Sequence, residues 1–292
     1  VTRAPRAARK AAKAEIQTLQ ATLDKLSALP GVADIKGNGR VPRGFYEAVE
    51  EMHAAYDAYA AIARKFLPIA DDVKQPGEPG GTAACYSGPM VHGVEALALY
   101  REARTWRDFQ SVAKTMGELG EQLFNQIQAN HTGKDPEKIR MSGKAVQSGR
   151  VALAKQMHPC PLLDEGKQRC RVWDKRPISC RMHFPKGDAE QHRPEHADWP
   201  KSAKAFNLRL PVKQQVTMQQ LDKRLALELS PFLYASVLQI LQLSEGGLIQ
   251  EVGEAPVKVQ QDGHVAQRAN RNVRHAKKFQ KKGKGKGKKR KK

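Results

Sequence analysis

Cysteine is scarce in this chain, with four in 292 residues. That supply rules out a small disulfide-stapled scaffold, which needs paired cysteines at high density. Aromatic residues are also few, at 6%. No run approaches the roughly 18 uninterrupted apolar residues of a bilayer span, so no membrane partner is expected. The opening VTRAPRAARKAAKAE is basic and alanine-rich but lacks the apolar core of a secretory signal. The expectation is a cytoplasmic protein in reducing surroundings, where clustered cysteines hold metal more often than they form disulfides.

Acidic residues are missing from both ends. From Gly263 to Lys292 there are fourteen Lys or Arg and no acid, and residues 1–14 hold five more. The remaining 32 basic residues face all 30 acidic ones. The formal charge of +21 therefore lives in the ends, and the body is close to neutral. Nucleotide-binding signatures are absent too. Gly37-Asn38-Gly39 lacks the rest of a dinucleotide fingerprint, and Ser142-Gly143-Lys144 lacks the upstream glycine of a phosphate-binding loop. No serine or cysteine has the local setting of a nucleophile.

What is present is mostly helical periodicity. Ile16, Leu19, Leu23 and Leu26 recur on one face of a helix over 3–29, stopped by Pro30-Gly31. Phe45, Val49, Met52, Tyr56, Tyr59, Ile62 and Phe66 form a stronger stripe ending at Pro68, and aromatics so spaced read as core. Residues 71–84 make a Pro/Gly loop leading to Cys85. Residues 91–130 are helical again, broken near Arg104, with Phe109, Val112, Met116, Leu119, Leu123 and Ile127 on one face. Asp135-Pro136 opens a further helix towards Met157. Residues 205–212 alternate as a short strand. Thr217 with Gln220 has the pattern of a capping box ahead of Leu221, Leu225 and Leu229. Ser230-Pro231 starts a last helix, closed by Gly246-Gly247. The predicted fold is mostly α: one principal helical domain with an irregular cysteine-rich loop segment and flexible basic termini. The divisions are a basic helix and loop over 1–40, the helical domain over 41–250 and a Lys-rich tail over 251–292.

Three of the four cysteines fall in HPCPLLDEGKQRCRVWDKRPISCRMHFP, residues 158–185. Cys160, Cys170 and Cys180 have nine residues between neighbours, and Cys85 lies far upstream. Deprotonated sulfur is a soft, charged ligand, and four thiolates complete a tetrahedral zinc site or hold an iron–sulfur cluster. Nine-residue gaps are not the paired spacing of a zinc ribbon, so spacing alone leaves four unrelated buried thiols as an equal alternative. His183 and His158 stand close enough in sequence to replace a thiolate, or are ordinary loop histidines. Arg176 and Arg181 could hydrogen-bond thiolate sulfur, or simply be solvated. Trp173 reads as local packing over the site.

The residues between the cysteines carry a resemblance. Cys160-Pro161-Leu162-Leu163-Asp164, Cys170-Arg171-Val172-Trp173, Arg176-Pro177, Cys180-Arg181 and Phe184-Pro185 occur in order and at the gaps seen in the YkgJ-type CxxCxxCC cysteine-cluster proteins. The chain resembles that family over about residues 78–186. The resemblance implies a zinc- or iron-chelating domain; some relatives are associated with methylating lysines of flagellin. The family's first half carries C-x-x-C-x-x-C-C. Here Cys85 would take the last place, with Ala84, Gly81 and Glu78 in the other three. Four cysteines suffice for one tetrahedral site or one four-cysteine cluster.

Three functions follow as expectations. The first is a metal-binding protein holding zinc or an iron–sulfur cluster through Cys85, Cys160, Cys170 and Cys180. The second is a metal-dependent redox or lysine methyl-transfer enzyme. The third is an RNA-, DNA- or ribosome-associated protein whose basic residues 268–292 condense on polyanions by counterion release. Phe279 is the one aromatic there, so base stacking contributes little.

Overall fold

A computed structural model describes residues 4–69, 73–86, 88–130, 143–187, 189–201, 204–225, 227–244 and 250–252. The chain divides into a compact unit over Val1–Glu254 and a second over Ala255–Lys292. The second unit lies outside the described residues, as do Asp135-Pro136 and Gly246-Gly247, so the tail and those two predicted helix boundaries carry no structural account here.

The first unit is mostly α. Helices α1 (Arg6–Ala11) and α2 (Lys13–Ala28) take up the N-terminal periodicity. Leu19, Leu23 and Leu26 are fully buried and share a core with α4 (Phe45–Ala63). A one-turn helix α3 (Ile35–Asn38) and strand β1 (Arg40–Val41) lead to α4, which packs along α2. Every apolar residue of the predicted α4 stripe from Phe45 to Tyr59 is buried. The last two predicted members depart from this: Ile62 is half-buried, and Phe66, in the 3₁₀ turn Arg64–Phe66 that follows the helix, is exposed, so the buried stripe stops short of Pro68.

The expected break near Arg104 separates α5 (Gly93–Ala103) from α6 (Phe109–Ala129). Helix α7 (Gly143–Ala154) packs against α6 at very close range: a Cβ placed on Gly149 would lie 2.6 Å from Ile127 Cγ1 and 2.9 Å from Ile127 N. The cysteine segment is, as expected, short pieces: β2 (Leu163–Asp164) paired antiparallel with β3 (Arg169–Cys170), then the one-turn helix α8 (Ile178–Arg181), then β4 (His183–Pro185). Strand β5 (Ala205–Asn207) pairs antiparallel with β4, setting His183 opposite Asn207 and Phe184 opposite Phe206. It covers fewer residues than the alternation over 205–212 predicts.

Helix α9 (Val212–Leu225) departs from the sequence reading. It starts directly after Pro211, whose carbonyl accepts the Gln215 N–H at 3.0 Å. Thr217 is therefore inside the helix and caps nothing. Its hydroxyl donates to the Lys213 carbonyl at 3.1 Å and accepts from Gln20 Nε2 at 3.2 Å. A proline fixing φ at the first turn outcompeted a capping pattern further along. Gln20 Oε1 also accepts from Gln214 Nε2 at 3.0 Å, a buried polar link between α2 and α9. Helix α10 (Leu233–Ser244) packs on α5 and α6, and β6 (Gln250–Glu251) pairs parallel with β1. Among the described residues, no helix is long and apolar enough to cross a membrane.

Candidate metal centre

The four cysteines come from separate short segments, and backbone hydrogen bonds tie those segments together. The Cys160 N–H donates to the Cys85 carbonyl at 2.7 Å, joining the upstream loop to the start of the cysteine segment. The Cys170 N–H donates to the Gly77 carbonyl at 2.8 Å, so the same loop is held at a second point. Cys160 precedes the β2–β3 hairpin and Cys170 ends its second strand, with Leu163 in register opposite Cys170 and the Arg171 N–H donating to the Leu162 carbonyl at 2.8 Å. Cys180 lies in the first turn of α8, where its N–H donates to the Pro177 carbonyl at 2.9 Å. Proline at the start of that turn sets the backbone without needing a donor.

All four thiols line one cavity of about 470 Å³. They are free cysteines, each partly buried. Burial raises every one of their pKa values, because a thiolate is poorly solvated there. Cys160 is pushed up to about 12, chiefly by burial and then by the neighbouring Cys170. Cys85 is held well above the usual range by burial and by Cys160, Cys180 and Cys170 in turn. Cys180 is raised by burial and by Cys160 and Cys170. Cys170 rises less, since the Val172 N–H and the charges of Arg176, Arg169 and Arg181 oppose its burial. Charge on Cys160, Cys170 or Cys180 would raise its neighbours, as the shifts of Cys85, Cys160 and Cys180 show. As arranged, among the described residues no three His, Cys, Asp or Glu side chains meet closely enough to hold a metal ion. Neutral thiols have no electrostatic reason to converge. Ligation would need proton loss and rotation about their side-chain bonds.

The other predicted residues divide. His183 lines the cavity, but its Nδ1 is 3.0 Å from Asn207 Oδ1, and burial lowers its pKa, favouring the neutral ring. His158 is exposed and does not line the cavity. Arg176 is buried and does line it. Its Nη1 donates to the Pro76 carbonyl at 3.2 Å and its Nη2 to Gln75 Oε1, while its Nε is buried with no hydrogen-bond partner. Arg181 is buried with its nitrogens committed to oxygen: Nε to the Arg176 carbonyl at 2.7 Å, Nη2 to the Asp174 carbonyl and Nη1 to Asp57. It reaches Cys170 by charge alone. Trp173 is not among the residues lining the thiol cavity. It stacks beneath the Arg176 guanidinium at 3.6 Å and faces an outer groove.

Several lining residues had no signal in the cysteine spacing. Gly77 adopts φ +82°, and its N–H reaches the Cys85 thiol. Tyr234, on α10, does not line the cavity but lies behind it, fully buried with no well-formed hydrogen bond to its hydroxyl, and Cys160 is near enough to act on it. Arg150, on α7, lines the cavity, and burial lowers its pKa while Tyr234 and Cys180 oppose the shift. His192 lines it as well, its Nε2 2.9 Å from the Lys186 carbonyl. Arg150 and Tyr234 come from helices distant in sequence from one another, which no local motif could connect to the thiols. No protein-family model, curated protein or solved structure matches the chain.

Proposed function

We propose that this protein binds a metal centre, an iron–sulfur cluster or a zinc ion, through Cys85, Cys160, Cys170 and Cys180. The observation that carries the reading is that all four thiols, including the remote Cys85, line one cavity. Four sulfur donors and no competing oxygen-rich group suit either centre. The cavity has room for a cluster, whose own sulfide ions fill space that a lone zinc ion leaves open. A cluster would supply electron transfer or local order, and zinc local order alone. Arg176 and Arg150 would offset thiolate charge, the kind of outer contact that tunes bound metals.

Metal analysis with an absorption spectrum, on protein purified without oxygen, tests this beside Cys170→Ser. The expected result is iron with acid-labile sulfide and a broad visible band, lost in the variant. About one zinc per chain without a visible band would keep the site and change the metal. Absence of metal from both proteins would overturn the reading.

A second reading has its own observation, the fourteen basic and no acidic residues of 263–292. That segment supplies non-specific affinity for RNA or DNA.

A further inference from the structure

A second cavity, of about 760 Å³, opens beside the first. It lies between the start of α5, helix α9 and residues 227–231, with α8 contributing Ile178 and Ser179 to its wall. Its volume falls within the roughly 300–1,000 Å³ of small-molecule sites. The wall is aliphatic, formed by Val91, Ile178, Leu210, Leu225, Leu227 and Leu229.

Charge at this cavity is not balanced. Each acid lining it is already engaged by this chain. Glu95 accepts from the Ile178 N–H at 2.7 Å and the His92 N–H at 3.0 Å, and pairs with His53 Nε2 at 3.0 Å. Asp222 pairs with His92 Nδ1 at 2.6 Å and accepts the Gly93 N–H at 2.8 Å. Glu228 pairs with Lys36. Two cations remain at the lining, Arg209 and Lys223, both exposed. Among the described residues neither side chain has a hydrogen-bond or ion-pair partner, the contacts of Arg209 being through its backbone N–H and carbonyl. An aliphatic chamber with unpaired cations at its mouth complements an apolar body carrying one negative head group.

We propose that this cavity binds an amphipathic anion, an aliphatic or aromatic body with a single carboxylate. The body occupies the aliphatic chamber and the carboxylate meets Arg209 and Lys223, the guanidinium offering two parallel donors to its oxygens. The paired state of Glu95, Asp222 and Glu228 keeps the lining from repelling that head group.

Calorimetric titration of the full chain with decanoate, decanol and decyltrimethylammonium, each below its micellar concentration, tests the proposal. The expected result is saturable binding of one decanoate per chain, about tenfold weaker binding of decanol and none of the ammonium. The double variant Arg209→Gln, Lys223→Gln changes only exposed side chains, and should lose that tenfold preference while binding decanol as before. The basic tail is unchanged in that variant, so the difference reports on the cavity. Equal affinity for decanoate and decanol, no saturable binding, or a preference unaltered by the double variant would each overturn the proposal.

Discussion

At the scale of single residues, Gly77 is packed directly against the thiol cavity's Cys170. Its φ of +82° is in the left-handed region, which costs an L-residue about 1–2 kcal/mol. A Cβ there would also lie 2.5 Å from the Cβ of Cys170. Gly31 has a similar φ of +85° with nothing within 4 Å, so it isolates the backbone cost from the clash. Gly77→Ala should therefore destabilise by about 1–3 kcal/mol more than Gly31→Ala, the usual penalty of overpacking. It should also reduce metal retained per chain, whereas Gly31→Ala should not; thermal melts and metal analysis read both. Nothing in the sequence marks Gly77 among the glycines of the 71–84 loop, because its role arises from a contact with a residue far along the chain. The thiols make a second prediction. Their folded pKa values are raised, so their contribution to stability is complete below the unfolded value, near 8.5, and fades as pH climbs through the folded one. For Cys160 that window runs from about 8.5 to about 12. Metal-free protein should melt several degrees lower at pH 10 than at pH 8, and Cys160→Ser should shrink the difference. Metal affinity should move the opposite way and rise with pH, since binding expels the thiol protons.

Among the elements, Glu95 joins three helices. It sits in the first turn of α5, pairs with His53 on α4 and accepts the Ile178 N–H that opens α8, the turn holding Cys180. Burial pushes its carboxyl up, but the His53 hydrogen bond and the charges of His53 and His92 more than reverse this and hold it below its ordinary range. Removing one member of a buried pair leaves the other uncompensated, so Glu95→Ala should cost about 3–5 kcal/mol in a denaturant titration. A depressed folded pKa stabilises above the unfolded value, near 4.3, and that contribution is lost as pH falls through the folded one. Glu95→Gln should accordingly flatten the acid limb of the stability profile; an unaltered limb would show that the pair is neutral. The helices themselves were legible, because three- and four-residue recurrence of large apolar side chains admits one geometry, as for Phe45 to Tyr59. Helix starts were less so: Thr217 and Gln220 form a valid local signal that Pro211 overrides. Nothing in the sequence sets Glu95 apart from the other helical acids. Its burial follows from the meeting of α4, α5 and α8, which spacing within one helix does not encode.

For the whole molecule, the same contrast sets the site against the tail. The three clustered cysteines were visible as a group, but the closure of Cys85 onto them depends on the Cys160 and Cys170 backbone bonds to the upstream loop. The basic composition of residues 263–292, by contrast, is fully legible without coordinates. A near-neutral body joined to a segment of fourteen cations makes a separable prediction. The full chain should bind single-stranded RNA with an affinity that falls steeply with salt, each neutralised phosphate adding about −0.7 to the log–log slope. It should not distinguish poly-U from poly-A, since Phe279 is the one aromatic available to stack. Deleting residues 268–292 removes all fourteen cations and should abolish retention at low salt, while the melting temperature and metal content of the remainder stay unchanged. If the shortened protein still held RNA with the same slope, the contact would belong to the folded unit, and Lys167, Arg169, Arg171 and Lys175 around the outer groove beside Trp106 and Trp173 would be the residues to change next.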